Sequence, residues 1–273
     1  MIRLLTLMGA RWRASYPGQL AGLGFGAAAC AVLPGGNRRQ SMQQLISQVY
    51  FTGVEAVPLV FFLAVVIGGA TILQAAAVMP KIGAGDALGS VMVLVVLREI
   101  GPLFTAFMVA GRTGSALATF LGNMKVQSEI DALRTMGIDP VRFLVYPALV
   151  ATVFSVFALT ILFNFTSLFG GYAIVSAFGL ISPSAWDMQL SLGQFLDKVL
   201  AAMNPMDAVW MAGKPVCFGI LIAVIACFHG LAVDNDMRQV PKATTRSVVN
   251  AFASVIVVDF FFAVFFGTRL DFF

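Results

Sequence analysis

Five stretches of this chain stay apolar for about as long as a bilayer is thick or longer. They cover approximately residues 56–79, 88–122, 143–170, 214–232 and 244–267. A hydrocarbon core takes roughly 20 apolar residues per helix. Backbone polar groups inside it must bond within the protein, which leaves helices or closed barrels, and long runs without alternation are helical. Composition removes the soluble alternative, because 59% of the 273 residues are hydrophobic and only 11% are charged, where a soluble domain carries about 25%. The expected fold is an all-α integral membrane protein with five transmembrane helices in one transmembrane domain, residues 1–273.

The segments between the runs are short. Leu20 to Leu33 is apolar but glycine-rich, and Pro34 stops it. Residues 1–33 are expected to lie in or dip into the interface, making 1–40 an interfacial N-terminal segment, with a half-span as the alternative. The segment does not read as a signal peptide, since Pro34-Gly35-Gly36 stands where a small-residue cleavage site belongs. Residues 41–55 read as a short amphipathic lead-in. Residues 180–213 contain Pro183, Trp186, Asp187, Asn204 and Pro205 and read as a loop on the outer side with room for one interfacial helix. The run 88–122 would make a helix about 50 Å long, which Gly101-Pro102 should kink. Gly170-Gly171 should mark a bend or exit from the third run. No repeat and no soluble domain is evident.

Loop charges orient such a chain. Arg3, Arg11, Arg13, Arg38 and Arg39 precede the first span. Lys125, Arg134 and Arg142 follow the second, and Arg238, Lys242 and Arg246 follow the fourth. The opposite side has Lys81, Lys198, Lys214 and Arg269. The asymmetry puts the N-terminus in the cytoplasm and the C-terminus outside. The net charge of +4 is therefore an orientation signal and does not point to nucleic acid.

Three constellations stand out. Ala110, Gly114, Ala118 and Gly122 recur every fourth residue on the second span, beside a row of Gly111 and Ser115. Such ladders let helix backbones approach closely in lipid, for packing within the chain or for a homodimer seam. The loop 123–140 reads NMKVQSEIDALRTMGIDP. Ser128 is a candidate N-cap, Glu129 and Asp131 suit a first turn, Arg134 follows, and Gly137 and Pro140 end the segment. Val126, Ile130, Leu133 and Met136 fall near one face. This is a short amphipathic helix on the cytoplasmic side, either resting on headgroups or docking into a partner. The third constellation is charge at membrane depth. Each isolated charge there costs a few kcal/mol, so partners are expected. Lys214 and Asp259 each lie about 16 residues from the cytoplasmic end of their helix, roughly 24 Å at 1.5 Å per residue. Arg98 and Glu99 lie at matching depth on the second span. The four residues balance to zero charge and should meet in the outer half of the membrane, as a structural clasp or at the base of a cavity.

Other chemistries lack their residues. Cys30, Cys217 and Cys227 sit in apolar runs without metal or redox spacing. His229, the single histidine, has no linked groups for a proton relay. Walker A, GxSxG and HExxH motifs are absent, so no catalytic residue and no resident metal or cofactor is expected.

Several long words occur in one order: LREIGP at 97–102, AGRTGSALA at 110–118, SEIDALRTMGIDP at 128–140, KATTRSVV at 242–249 and VVDFFF at 257–262. On these, residues 41–268 resemble the MlaE (YrbE) permease family. The resemblance implies a homodimer at the centre of an inner-membrane ABC complex. That complex moves glycerophospholipids between the inner membrane and a periplasmic carrier and so maintains outer-membrane lipid asymmetry. It implies two cytoplasmic ATPase subunits that bind the ATP and Mg, an MCE-domain protein that is often a hexamer, and in some systems a STAS-domain subunit. It also implies that the helix matching Ser128 to Gly137 contacts the ATPase, and that Arg98, Glu99, Lys214 and Asp259 match the family's intramembrane charges. A secondary transporter or a scaffold without an ATPase is the rival reading. The first should show inverted repeats, and the second has no need of the charge cluster.

Overall fold

The computed structural model describes residues 38–78, 88–181, 191–234 and 236–267, and these contain helices and turns but no strand. Helix α1 spans Arg38–Thr52 and leads through a 3-10 turn, Val54–Ala56, into α2, Val57–Val78. The second span is a relay. It begins with α3, Leu88–Val91, and widens into a π-helical segment, Met92–Ile100. It returns to α4, Gly101–Val109, widens again at Ala110–Gly114, and ends as α5, Ser115–Val126. A short α6, Glu129–Thr135, follows, then a third wide segment, Val141–Val145, and α7, Tyr146–Ile181. Helices α8, Leu192–Ala202, α9, Pro205–Leu231, and α10, Gln239–Gly267, complete the described chain. Among the described residues, five helical stretches are long and apolar enough to cross a membrane: Leu45–Val78, Gly89–Val126, Val141–Ala177, Pro205–Leu231 and Gln239–Val264. The interfacial segment expected over residues 1–33 lies outside the described residues.

The described residues fall into two compact units. One takes the chain through Thr52 together with Val109–Ser155 and Cys217–Val257. Its core gathers Leu121, Ile130, Leu144, Val145, Ala148 and Cys227. The other takes Gly53–Met108, Val156–Val216 and the chain from Val258. Its core gathers Ile72, Met92, Val93, Val96 and Leu97 around Phe195 and Val199 of α8, with Tyr172 stacked on Phe195 at 5.6 Å between centroids. Outward-facing phenylalanines such as Phe62, Phe165 and Phe261 are exposed. In water they would be a liability; in hydrocarbon they face a solvent of their own kind.

Two boundaries differ from expectation. Gly170-Gly171 does not end α7, which runs on to Ile181. The two glycines instead let α2 come close. A Cβ on Gly171 would stand 2.6 Å from the Gly68 carbonyl carbon, and one on Gly170 would stand 2.6 Å from Val65 Cγ2. The fourth span also starts earlier than residue 214. Asn204-Pro205 opens α9 in helical form, with proline at the first position, where its missing N–H costs nothing. Asp207 reaches back so that the Asn204 N–H donates to its Oδ2 at 2.9 Å. Residues 205–213 are therefore helix, not loop. The one helix for which residues 180–213 had room is present as α8. The Ser191 N–H donates to Gln194 Oε1 at 3.2 Å to start it, and Phe195 and Val199 are buried against the second span.

Gly171→Val should lower the thermal unfolding midpoint of the detergent-purified protein, with an overpacking cost of about 1–3 kcal/mol. Gly213→Ala, where nothing lies within 4 Å of the added carbon, should raise stability by about 0.5–1 kcal/mol through helix propensity. Equal midpoints for Gly171→Val and the parent would refute the close approach.

Candidate functional site

Pro102 explains why polar groups gather in the second span. A proline has no N–H to give the carbonyl four residues back (Arg98) or, in a wide turn, five back (Leu97). Side chains reach both carbonyls. Lys214 Nζ donates to the Arg98 oxygen at 3.2 Å, and Asn164 Nδ2 donates to the Leu97 oxygen at 3.4 Å. Gly101 makes room, since a Cβ there would collide with Asn164 Oδ1. The segment Met92–Ile100 is wound wide at this point, with the Gly101 N–H bonded to the Val96 oxygen. Such insertions in α-helices recur at functional sites.

Lys214 is the hub. It is 4% exposed, and an ammonium has three hydrogens to donate. It gives them to Glu99 Oε2 at 2.7 Å, to Asp259 Oδ1 at 3.0 Å and to the Arg98 carbonyl. The three residues that depth counting grouped thus meet through Lys214. The Arg98 guanidinium turns elsewhere, pairing with Asp207 Oδ1 at 2.7 Å. Asp207 and Lys214 lie seven residues apart, two helical turns along one face of α9. The expected balance of four charges is therefore corrected to five groups, whose ionised sum is one negative charge. Glu99 has the most open side chain, 41% exposed against 15% for Asp259.

Asp207 was missed because residues 180–213 read as loop. Its signal was present in Asn204-Pro205-Met206-Asp207, a helix start with proline at N1 and an acid at N3. Asn164 carried no signal beyond being an amide in an apolar run.

The ladder and the loop helix belong to the other unit. Ala110 and Ala118 have no exposed surface. A Cβ on Gly114 would meet Ile222 at 3.6 Å, one on Gly122 would meet Val233 at 3.3 Å, and one on Gly230 would meet the Ala118 oxygen at 2.9 Å. This row packs against the chain's own helices. Gly111 and Ser115 are half-buried, and Ser115 Oγ donates back to the Gly111 carbonyl at 2.6 Å.

In the loop, Ser128 does not cap α6. It sits in the left-handed region at φ 60° and makes no side-chain cap bond. Asp131 completes no capping box and instead pairs with Lys125 at 3.5 Å and Arg134 at 3.3 Å. The C-terminus closes by a Schellman arrangement. Gly137, at φ 75°, donates to the Arg134 oxygen, and the Ile138 N–H donates to the Leu133 oxygen at 2.9 Å. Ile130 is buried and Leu133 packs on the same core. Met136 turns out instead, 66% exposed, with Glu129 and Ile138 also exposed.

Comparison with known proteins follows the same segments. Residues 45–265 match the family model described as Permease MlaE. The chain is 32% identical over 232 residues to the intermembrane phospholipid transport system permease protein MlaE of Haemophilus influenzae, covering 84% of this chain and 85% of that one. It is 31% identical over 225 residues to a probable ABC transporter permease protein of Synechocystis, covering 82% and 81%. A probable ABC transporter permease protein of Rickettsia felis is 26% identical over 216 residues, covering 79% and 80%.

Lys214→Met should lower stability by about 3–5 kcal/mol, because it leaves two carboxylates facing each other without their cation. Adding Asp259→Asn to that variant should restore part of the loss. Thermal unfolding in mild detergent reads both, and an unchanged midpoint for Lys214→Met would remove Lys214 from its role as hub.

Proposed function

This chain belongs to the MlaE permease family, and from that premise we propose that it is the membrane subunit of an ABC complex that moves phospholipid. It spans the membrane several times and is a transporter permease. The finer reading rests on one observation, the near full-length similarity to a permease of an intermembrane phospholipid transport system. In this reading the chain sits in the inner membrane with its N-terminus in the cytoplasm. It forms a homodimer, is driven by two separate ATPase subunits, and exchanges phospholipid with an MCE-domain carrier on the far side. Helix α6 is the coupling element. Its buried side anchors it on the chain's own core, the Schellman turn stiffens its end, and Met136 and Ile138 offer an apolar tip to the ATPase. The Lys214 cluster is the part that responds. Glu99 is its accessible carboxylate, so a change in pairing there accompanies opening of the lipid path.

Two experiments test this. Met136→Asp should weaken co-purification of the ATPase and uncouple ATP hydrolysis from transport, with no loss of permease stability, since that side chain lies outside the core. Leu133→Pro should likewise weaken ATPase association and coupling, here by melting α6 at about 3 kcal/mol for an interior proline. Normal ATPase association in both variants would refute the docking role. Glu99→Ala should cut phospholipid transfer between vesicles that contain the complex and acceptor vesicles well below the parent rate. Full transfer would remove the cluster from the transport step, and a complex that extracts intact without any ATPase would return the chain to the secondary-transporter or scaffold reading.

A further inference from the structure

The start of α10 breaks two local rules at once. Arg238, in the turn that leads into α10, and Lys242 and Arg246, one helical turn apart on α10, recur every fourth residue, and all three are exposed. Like charges at that spacing repel, and cations at a helix N-terminus oppose its dipole. The first turn of α10 contains no acid to offset them. Among the described residues, none of the three side chains pairs with a carboxylate. The nearby Asp236 carboxylate accepts the Arg238 backbone N–H at 3.0 Å. A positive-inside loop needs basic residues, but it does not need them on one wall of one cavity.

That cavity exists. It has a volume of about 420 Å³ and is lined by His229, Asp236, Arg238, Gln239, Lys242 and Arg246 among others. It opens where α9 ends and α10 begins, at the adjoining ends of two helices long and apolar enough to cross a membrane, and such span ends meet the headgroup region. Its inner wall is set, because Asn250 Nδ2 can only donate, so His229 Nε2 accepts from it at 2.9 Å. Met237, in the turn beside the pocket, and Val249, on α10, are exposed apolar side chains. A concave, cationic pocket with apolar side chains near it fits a phosphate attached to a lipid better than a flat protein surface.

We infer that the α9–α10 turn is a binding site for the phosphate-bearing headgroup of an anionic phospholipid, held by Arg238, Lys242 and Arg246. The bound anion supplies the negative charge that the helix start lacks. The site lies wholly outside the Lys214 cluster and does not depend on phospholipid being the transported substrate. Lipid at this position is a fixed ligand of the permease, so its occupancy stabilises the α9–α10 turn.

The test uses the full-length protein, extracted in mild detergent with its associated subunits and probed by native mass spectrometry and thermal shift. Phosphatidylglycerol should bind and raise the unfolding midpoint, and phosphatidylcholine should not. Affinity should fall about fivefold for each cation replaced by glutamine and about a hundredfold for Arg238→Gln/Lys242→Gln/Arg246→Gln together. On the parent protein, high salt should erase the preference for phosphatidylglycerol, a reading that needs no variant to fold. Competition by inorganic phosphate at millimolar concentration would keep the anion chemistry and assign the site to free phosphate as well as lipid. Equal binding of the two lipids by the parent, or undiminished phosphatidylglycerol binding by the triple variant, would overturn the proposal. So would a triple variant that keeps the lipid but loses a co-purifying subunit.

Discussion

One ammonium group organises the polar interior of this membrane protein. Lys214 donates to a carboxylate from the second span, to a carboxylate from the fifth, and to a backbone carbonyl that Pro102 leaves without its usual helical donor. In hydrocarbon each of those groups alone would cost several kcal/mol. Together they hold three helices in register by direction as well as by contact. Apolar packing in lipid supplies little such direction, because a side chain packs on acyl chains nearly as well as on a neighbouring helix. The close glycine contacts and the salt bridge of Arg98 with Asp207 elaborate that register.

The parts legible in advance were those that obey a ruler. Transmembrane helices advance 1.5 Å per residue, so counting from helix ends placed Lys214 and Asp259 at one level, and the structure sets them 3.0 Å apart. Span number followed from run length for the same reason. Asp207 escaped because a helix start rich in polar residues resembles a loop when judged by hydropathy. Only its capping chemistry marks it as helix. The glycine pair at 170–171 carried an ambiguous signal, since glycine both weakens helices and lets them touch. Which of these applies depends on whether a partner backbone is opposite, and that is tertiary information. Ser128 failed as a cap for a comparable reason. The turn between α5 and α6 is so short that the residue adopts a left-handed conformation, and its side chain makes no cap bond.

The loop helix shows how a short element can be rigid. Seven residues are too few for a stable isolated helix, yet α6 is fixed at both ends. Ile130 and Leu133 bury themselves in a core shared with Leu121 and Leu144, and Gly137 closes the last turn. An element fixed in this way moves with the spans it is seated on.

Pro102 gives the Lys214 cluster one partner of a different kind from the other two. Glu99 and Asp259 hold the ammonium through side chains with rotatable bonds, whereas the Arg98 carbonyl belongs to a helix and has no rotamer to change. The two acids can change rotamer and exchange as partners of the ammonium, while the carbonyl keeps the position that its helix gives it.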